Sequence, residues 1–360
     1  MVGDLLELLS GAAAQAMAPW PVPRQQAFEG TKYRGVNLGG WLILERWMTP
    51  SLFAGLKAED EYGYVTELGG EAAKRLRAHR DTYITADDLD WIAAHGLNAV
   101  RLPVPHWVYG GYEPYVPCID SVHWLMDAAH RRGLRVLLDL HTAPGSQNGQ
   151  DHSGRIGDVL WNTPSRRAET MTVLHKLAKD FGKHPALMGL EILNEPHHDL
   201  PLGVLQGFYG RAFDTVRSRV SKDVDVIAHD AFRPTRLRLG RMEGMAVDLH
   251  LYQAFGSDTR LTLPQHIHKA EHTWAHLLQK IARRVPAYVG EWSLGLDNQC
   301  FEGMDESAVH QGHIDYARAQ LKAFNNADGW FFWSYKTESD MPGWSYRASV
   351  ERGWLPESYA

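Results

Sequence analysis

The sequence predicts an α/β fold of the (β/α)8, or TIM-barrel, class, built as a single domain with long loops. Eight short runs rich in apolar and β-branched residues alternate with longer segments of helical periodicity, which is the pattern of βαβ units around a parallel sheet. The chain of 360 residues also has a suitable length, because such a barrel takes about 250 residues and leaves roughly a hundred for loops and extensions. No linker-like stretch divides the chain in two.

The predicted strands and helices alternate along the chain. The eight strands lie at residues 33–38, 98–104, 134–141, 187–194, 224–230, 245–252, 286–292 and 329–335. The helices lie at residues 85–96, 119–133, 164–182, 202–220, 263–284 and 307–325. The first of these helices has Thr85 as its predicted N-cap and Gly96 as its C-cap. The longest insertions follow strand one, to about residue 84, and strand three, to about residue 162, so these two loops should shape the pocket.

Residues 1–30 form a predicted N-terminal extension to the barrel at 31–360. The extension includes a short amphipathic helix at residues 5–16 and a proline-rich connector. It lacks the basic region of a signal peptide, and Asp4 and Glu7 interrupt its apolar stretch. No apolar run reaches the roughly 18–20 residues that a membrane span needs. We therefore expect a cytoplasmic protein.

The composition favours a neutral ligand. The net charge is -6 and no run of Lys or Arg is present, which argues against nucleic acid and an anionic membrane surface as partners. The 13 tryptophans suit a carbohydrate, because sugars stack their apolar faces on such rings. The two cysteines, Cys118 and Cys300, are far apart in sequence and predict neither a disulfide framework nor a cysteine zinc site.

Polar residues stand at the predicted strand ends, where a barrel of this class carries its chemistry. These residues are Asn37, Arg101, His141, Asn194 with Glu195, Asp230, His250 with Tyr252, Glu291, and Trp333. We expect them to form a ring that faces a common mouth. Arg101 follows an apolar run, so its charge needs a partner, and carboxylates at neighbouring strand ends can supply one.

Two of these residues form a candidate catalytic pair. Glu195 ends strand four and Glu291 ends strand seven, so the two acids can face each other across the mouth. Carboxylates about 5 Å apart hydrolyse a glycoside with retention, whereas a wider gap admits a water and inverts the product. The alternative is a structural role, in which both glutamates bind Arg101 in a salt-bridge network.

No metal or other cofactor is expected. The chain has no H-E-x-x-H motif or comparable ligand spacing. His197 and His198 follow a proline in a loop, where we expect adjacent side chains to diverge.

With these residues in view, the chain resembles glycoside hydrolase family 5, and specifically its exo-β-1,3-glucanase-like members. The resemblance covers roughly residues 31–346 and rests on ordered motifs: RGVNLGGWLILERWMTPSLF, RLPV, LLDLHTAPGSQNGQDHSG, LEILNEP, DLHLYQAF, VGEWS and WFFWSYKTE. It implies a retaining β-glucosidase that removes terminal β-linked glucose from short β-1,3-glucans or related β-glucosides without a metal. An endo-β-glucanase, a diglycosidase that releases a disaccharide, and a non-catalytic carbohydrate-binding barrel remain alternatives.

The resemblance also implies a role for each matching residue. Glu195 is the acid/base and Glu291 the nucleophile. The supporting and sugar-binding residues are Arg101, His141, Asn194, His250, Tyr252 and Trp333, with Glu45 and Asp151 gripping the terminal glucose. Phe255 matches one half of an aromatic clamp beyond the cleaved bond, but the other half is replaced by Gln150, which puts the preferred leaving group in question.

The implied roles require opposite protonation states for the two glutamates. We expect Arg101 and Tyr252 to favour the ionised form of Glu291, and burial together with the charge of Glu291 to keep Glu195 protonated.

Overall fold

Eight parallel strands close into a barrel in chain order, and β8 pairs with β1. The computed structural model describes residues 33–234, 236 and 244–359. The strands are β1 Tyr33–Asn37, β2 Ala99–Val104, β3 Arg135–Leu140, β4 Leu187–Glu191, β5 Asp225–His229, β6 Met245–His250, β7 Ala287–Trp292 and β8 Gly329–Phe332. Each lies within a predicted strand, so the predicted barrel is confirmed. The predicted extension with its helix lies outside the described residues.

Helices surround the barrel. They are α1 Glu61–Leu68, α2 Ala72–Tyr83, α3 Ala86–Ala94, α4 Ile119–Arg131, α5 Pro164–Phe181, α6 Leu202–Arg217, α7 Leu263–His268, α8 Ala275–Ala282, α9 Glu306–Phe324 and α10 Tyr346–Glu351. All six predicted helices are present, but the one expected at 263–284 contains a π-helical stretch, Lys269–Trp274, between α7 and α8. The insertion after β1, expected only as a loop, contains α1 and α2.

The predicted start of α3 has its full capping arrangement. The Asp88 backbone N–H donates to Thr85 Oγ1, and the Thr85 backbone N–H donates to Asp88 Oδ2 at 2.8 Å, so two N-terminal donors are satisfied reciprocally. Asp88 also accepts from Lys336 Nζ at 2.8 Å and from the Tyr335 hydroxyl at 3.1 Å. These contacts join α3 to the loop after β8.

The interior of the barrel is layered. An apolar layer takes one residue from each of seven strands: Ala99, Leu137, Met188, Ile227, Ala246, Tyr288 and Phe331. Because side chains alternate between the two faces of a strand, the residues two positions further along also point inward. Arg101, Asp139 and Asp248 follow the apolar layer at this spacing, and all three are buried. A charged layer therefore lies between the apolar core and the mouth.

Among the described residues, no helix combines the length and the apolar character required to cross a bilayer.

Candidate active site

A cavity of about 600 Å³ opens at the carboxyl ends of the strands, within the usual size range of small-molecule sites. It brings together eight of the predicted site residues: Glu45, His141, Asp151, Glu195, Tyr252, Phe255, Glu291 and Trp333. Arg101, Asn194 and His250 lie buried beneath it and contact the residues that line it.

The two predicted catalytic glutamates reach the cavity from different backbone settings. β4 ends at Glu191, so Glu195 lies in the loop beyond the strand, with a φ of 38°. Glu291 lies within β7, next to a register shift in the pairing of β6 with β7. The prediction that Glu195 ends the strand is therefore wrong, because the strand pairing ends at Glu191 and Glu195 stands in a separate turn, in the left-handed region before Pro196.

His250 lies between the two carboxylates. Its Nδ1 is 2.5 Å from Glu195 Oε1 and 3.3 Å from Glu291 Oε2. These two oxygens can be no further apart than the sum of those distances. That limit accommodates the separation of about 5–5.5 Å found in retaining glycosidases, and is shorter than the roughly 6.5–9.5 Å of inverting ones.

Arg101 anchors one member of the pair. Its Nη1 donates to Glu291 Oε1 and to Asn37 Oδ1, both at 2.9 Å, and its Nη2 donates to Asn194 Oδ1 at 2.9 Å. The Tyr252 hydroxyl donates to the second oxygen of Glu291 at 2.9 Å. These donors hold the Glu291 carboxylate in one orientation and stabilise its charge.

The other partners of Arg101 come from the charged layer of the barrel. Arg101 Nη2 lies 2.8 Å from Glu191 Oε2, 3.1 Å from Asp139 Oδ2 and 3.6 Å from Asp248 Oδ2. The expectation of a carboxylate partner is confirmed, although these three acids stand inside predicted strands and were not identified from the sequence. Because the charge of Arg101 is balanced by these acids and by Glu291, Glu195 is not needed to compensate it.

One wall of the cavity is formed by His141 and Trp333. Their rings are nearly parallel, with an interplanar angle of 7° and centroids 5.6 Å apart. His141 Nδ1 lies 2.6 Å from Asp139 Oδ2, which fixes the orientation of the imidazole. Asn194 Nδ2 is 3.5 Å from His141 Nε2. The arrangement offers a sugar an aromatic face beside amide and imidazole hydrogen-bonding groups.

The two long insertions meet at another part of the wall. Glu45, after β1, accepts a hydrogen bond from Trp47 Nε1 at 2.9 Å, and Asp151, after β3, lines the same cavity. Burial, and next the charge of Asp151, raise the pKa of Glu45 well above its ordinary value. Two acids in one wall can bind neighbouring hydroxyl groups of a sugar.

Aromatic side chains surround the opening. Phe255 is 61% exposed, and its ring centroid is 5.8 Å from that of Trp344. Phe232, which is 51% exposed, reaches the cavity from the loop after β5. Gln150 also lines the cavity. Phe232, Trp47 and Trp344 were not predicted, because the sequence argument considered strand ends and stopped at Asp230.

Asp230 and Asn37 are predicted strand-end residues that do not line the cavity. Asp230 is buried and accepts a hydrogen bond from the Phe232 backbone N–H at 2.7 Å. Burial raises its pKa to about 7. Asn37 donates to the Gly290 carbonyl at 2.8 Å. Asp230 thus shapes the turn that presents Phe232, and Asn37 supports β7 next to Glu291.

Three groups of described residues bring possible metal ligands together: Glu195, His229 and His250; Glu191, Asp248 and His250; and His197, His198 and Asp199. In the first group the Glu195 carboxylate is bound by His250. In the second group the carboxylates of Glu191 and Asp248 are bound by Arg101. In the third, the rings of His197 and His198 stack with centroids 4.4 Å apart. The prediction that these side chains diverge is therefore wrong, because both approach Asp199.

The pKa directions at the catalytic pair reverse the expectation. Burial raises the pKa of Glu195, but the charge and hydrogen bond of His250 lower it more, so that it lies below its ordinary value. Burial raises the pKa of Glu291 to about 7, against the opposing charges of His250 and Arg101. The prediction that Glu195 is the more readily protonated carboxyl is wrong, because His250 lies closer to Glu195 than to Glu291.

The family model of Cellulase (glycosyl hydrolase family 5) matches residues 60–339, which is more than half of the chain. The chain belongs to glycosyl hydrolase family 5. The predicted resemblance is confirmed, and the protein is a glycoside hydrolase. Retention, the mechanism typical of family 5, agrees with the short spacing between Glu195 and Glu291.

Two curated relatives are similar to this protein over almost the whole chain. Glucan 1,3-beta-glucosidase of Blumeria graminis is 35% identical, with 97% of this chain and 94% of the relative covered. Probable glucan 1,3-beta-glucosidase A of Emericella nidulans is 34% identical, with 97% and 96% covered.

Solved structures of glycoside hydrolases share the barrel. Rutinosidase from Aspergillus niger has a TM-score of 0.75 at 19% identity, covering 90% of this chain and 97% of that one. Endoglucanase Cel5A from Thermotoga maritima has a TM-score of 0.57 at 17% identity, covering 89% and 96%. At these identities the likeness shows the fold alone.

Proposed function

We propose that this family 5 enzyme removes terminal β-linked glucose from short β-1,3-glucans or related β-glucosides by double displacement. Glu291 is the nucleophile and Glu195 the acid/base. The observation that carries the proposal is the facing pair of carboxylates, held at the short spacing by His250. The names of the curated relatives support β-1,3-glucan as the substrate class.

The two glutamates divide the reaction into two steps. Glu291 attacks the anomeric carbon while Glu195 passes a proton to the glycosidic oxygen, and the leaving group departs as an alcohol. Glu195 then takes a proton from the water that hydrolyses the glycosyl-enzyme. Arg101 and Tyr252, each 2.9 Å from an oxygen of Glu291, orient the nucleophile. This chemistry needs carbohydrate and water but no metal or cofactor.

The walls of the cavity favour attack at a chain end. Trp333 supplies a face for the sugar beside the nucleophile. The family resemblance implies that Asn194, which is buried beneath the cavity with Nδ2 near His141, binds the hydroxyl next to the anomeric carbon. Glu45 and Asp151 come from the two longest insertions and occupy the same wall. Their carboxyl groups can bind the hydroxyls of a terminal glucose, the role that the family resemblance implies for them.

A time course on a laminari-oligosaccharide of about six units, labelled at its reducing end, tests the substrate. We expect successive loss of single glucose units, with the label retained on the shortening chain. Release of a disaccharide, or early internal cleavage, would contradict this proposal in favour of the diglycosidase or endo-glucanase. Binding of the oligosaccharide without any product would favour the non-catalytic barrel.

Two substitutions test the assigned roles. Glu291→Ala should abolish turnover because it removes the nucleophile, and Glu195→Gln should lower turnover of the oligosaccharide by about 10²–10⁴-fold because it removes acid assistance. Glu351→Gln, at an exposed position on α10, is a matched control that should keep full activity. Circular dichroism would verify folding, and ordinary activity in Glu291→Ala would refute the mechanism.

A further inference from the structure

The Glu195 carboxylate has an imidazole beside each of its oxygens. His250 Nδ1 lies 2.5 Å from Oε1, and His152 Nε2 lies 3.4 Å from Oε2. The two imidazoles come from different elements, because His250 ends β6 and His152 belongs to the insertion after β3. His152 has no part in the proposed function as stated above.

The two histidines differ in their access to the cavity. The side chain of His250 is fully buried, and its Nε2 faces Asp248 Oδ2 at 3.4 Å while its Nδ1 serves both Glu195 and Glu291. The side chain of His152 is 17% exposed and lines the cavity. His250 is thus held among three carboxylates, whereas His152 borders the cavity.

The low pKa of Glu195 raises the question of where its catalytic proton comes from. Burial alone would raise this pKa, but His250 and then His152 are among the groups that lower it. A carboxylate in this setting is ionised at rest, so the proton that the acid must deliver has to reach Glu195 from a neighbouring group.

We propose that His152 is a positioning residue that shares a proton with Oε2 of Glu195 and thereby loads the acid/base for each catalytic cycle. This inference rests on the proposed function of Glu195. In the first step the proton moves from His152 Nε2 to Glu195 Oε2, as Glu195 protonates the glycosidic oxygen and the bond to the leaving group breaks. In the second step Glu195 takes a proton from the attacking water, and this proton returns to His152. The proton balance of one cycle is zero.

The groups around His152 are consistent with this exchange. The ring of His141, at the end of β3, contacts the ring of His152 with centroids 5.5 Å apart. Asn148 Nδ2, which can only donate, lies 3.5 Å from His152 Nε2 and donates to the Glu195 carbonyl at 3.1 Å, so it contacts Nε2 in the state in which this nitrogen carries no proton. Asp151 precedes His152 in the chain, and Glu291 interacts with it electrostatically across the cavity. Among the carboxylates of Asp151, Glu195 and Glu291, the one that forms an ion pair with His152 is that of Glu195, whose Oε2 lies 3.4 Å from His152 Nε2.

The dependence on the leaving group tests the inference. Phenyl β-glucoside needs a proton on its leaving oxygen, whereas the 2,4-dinitrophenolate ion is a weak base that departs without one. His152→Asn should lower kcat/KM for the phenyl glucoside by about tenfold, a part of the 10²–10⁴-fold that acid catalysis supplies. It should change kcat/KM for the 2,4-dinitrophenyl glucoside by less than about twofold. His276→Asn, at an exposed position on α8, should change neither value.

A pH profile provides a second readout. A proton shared by two basic sites is harder to remove than a proton held by one, so His152→Asn should move the alkaline limb of kcat/KM for the phenyl glucoside to lower pH. His152→Gln, which has a longer amide, should behave in the same way. An equal loss with both substrates, or an unchanged alkaline limb, would refute the proton-sharing role.

Glu195→Gln, measured alongside with the phenyl glucoside, separates this inference from the proposed function. If Glu195→Gln leaves the phenyl glucoside rate unchanged, the assignment of the acid/base is wrong and the inference fails with it. If Glu195→Gln slows the reaction and His152→Asn does not, the inference about His152 alone is wrong.

Discussion

Arg101 shows how a single buried charge organises the site. Isolated in the barrel interior, a guanidinium would be very costly, and so would any one of the acids around it. Asp139, Glu191 and Asp248 balance Arg101 from below, and its Nη1 still donates to Glu291 at 2.9 Å. The charged layer therefore supports the nucleophile with a donor that cannot be deprotonated.

The Tyr252 hydroxyl provides a direct test of the charge on Glu291. Burial raises the pKa of Glu291 to about 7, so kcat/KM should fall as the pH drops through this value and the nucleophile becomes protonated. Tyr252→Phe removes the donor at 2.9 Å but retains the ring that packs near Trp344. Because the ionised form loses a hydrogen bond, the pKa of Glu291 should rise further.

The acid limb of kcat/KM should therefore shift to higher pH in Tyr252→Phe. A profile measured with 2,4-dinitrophenyl β-glucoside isolates this effect, because that substrate does not depend on the acid. A limb that stays in place or shifts to lower pH would show that Tyr252 does not stabilise the nucleophile.

A residue that caps helix α3, Asp88, also connects this helix to the segment that follows the last strand of the barrel. Asp88 caps α3 with Thr85 and also binds Lys336 and Tyr335 beyond β8. Asp305 caps α9 by accepting a hydrogen bond from Ala308 N at 2.8 Å, and serves as the matched comparison. Asp305→Ala should lower the free energy of unfolding by about 0.5–2 kcal/mol. Asp88→Ala should lower it by more, because it also leaves Lys336 and Tyr335 without this partner.

Urea unfolding at several pH values tests the comparison. Burial would raise the pKa of Asp88, but Lys336 and Thr85 lower it below its ordinary value. Its stabilising effect is therefore complete above the unfolded-state pKa and is lost as the pH falls through the folded-state value. The difference in the free energy of unfolding between the wild type and Asp88→Ala should therefore become smaller at acid pH. Equal losses for the two variants at neutral pH would mean that the contacts to the β8 loop add nothing.

Local signals were sufficient to predict the strands and most helices. Thr85 begins α3 as its N-cap by chemistry that operates within a few residues. The C-cap is His95 rather than the predicted Gly96, which follows it with a φ of 74°. The insertion after β1 also contains such a signal, since Asp60 caps α1 by accepting from Gly63 N at 2.7 Å. That signal was overlooked because this long segment was considered only as a loop around the pocket.

The partners of the predicted site residues were harder to predict because they are distant in sequence. Glu191 lies 90 positions from Arg101, and the two meet only when the barrel closes. Glu191 also stands within an apolar run, where it appeared as part of a strand. The position of His250 between Glu195 and Glu291 depends on the register of β6 against β7. Because His250 lowers the pKa of Glu195, this register also explains why the pKa order of the two glutamates was predicted in reverse.

Specificity belongs to the whole molecule, because the cavity is assembled from loops after most of the strands. Glu45 follows β1, Asp151 follows β3, Phe232 follows β5, Phe255 follows β6 and Trp344 follows β8. No single loop forms the site. The position occupied by Gln150 need not be aromatic if an aromatic ring from another loop contacts the same sugar, and Phe232 lines the same cavity.

A double-mutant cycle on Phe232 and Phe255 tests whether the two loops act on one sugar. Each residue is largely exposed, so Phe→Ala at either position should leave folding intact while lowering kcat/KM for laminaribiose. If the two rings hold the same glucose unit, the loss of transition-state binding free energy in the double variant, calculated from kcat/KM, should be smaller than the sum of the two single losses. The difference, which is the coupling energy, should be about 0.5–3 kcal/mol. Leu160→Ala, at an exposed apolar position that does not line this cavity, is the control and should couple to neither. Additive losses in the two Phe→Ala variants would show that Phe232 does not complete the clamp. Phe255 would then contact the sugar without a second aromatic ring, because Gln150 replaces the other half of the clamp.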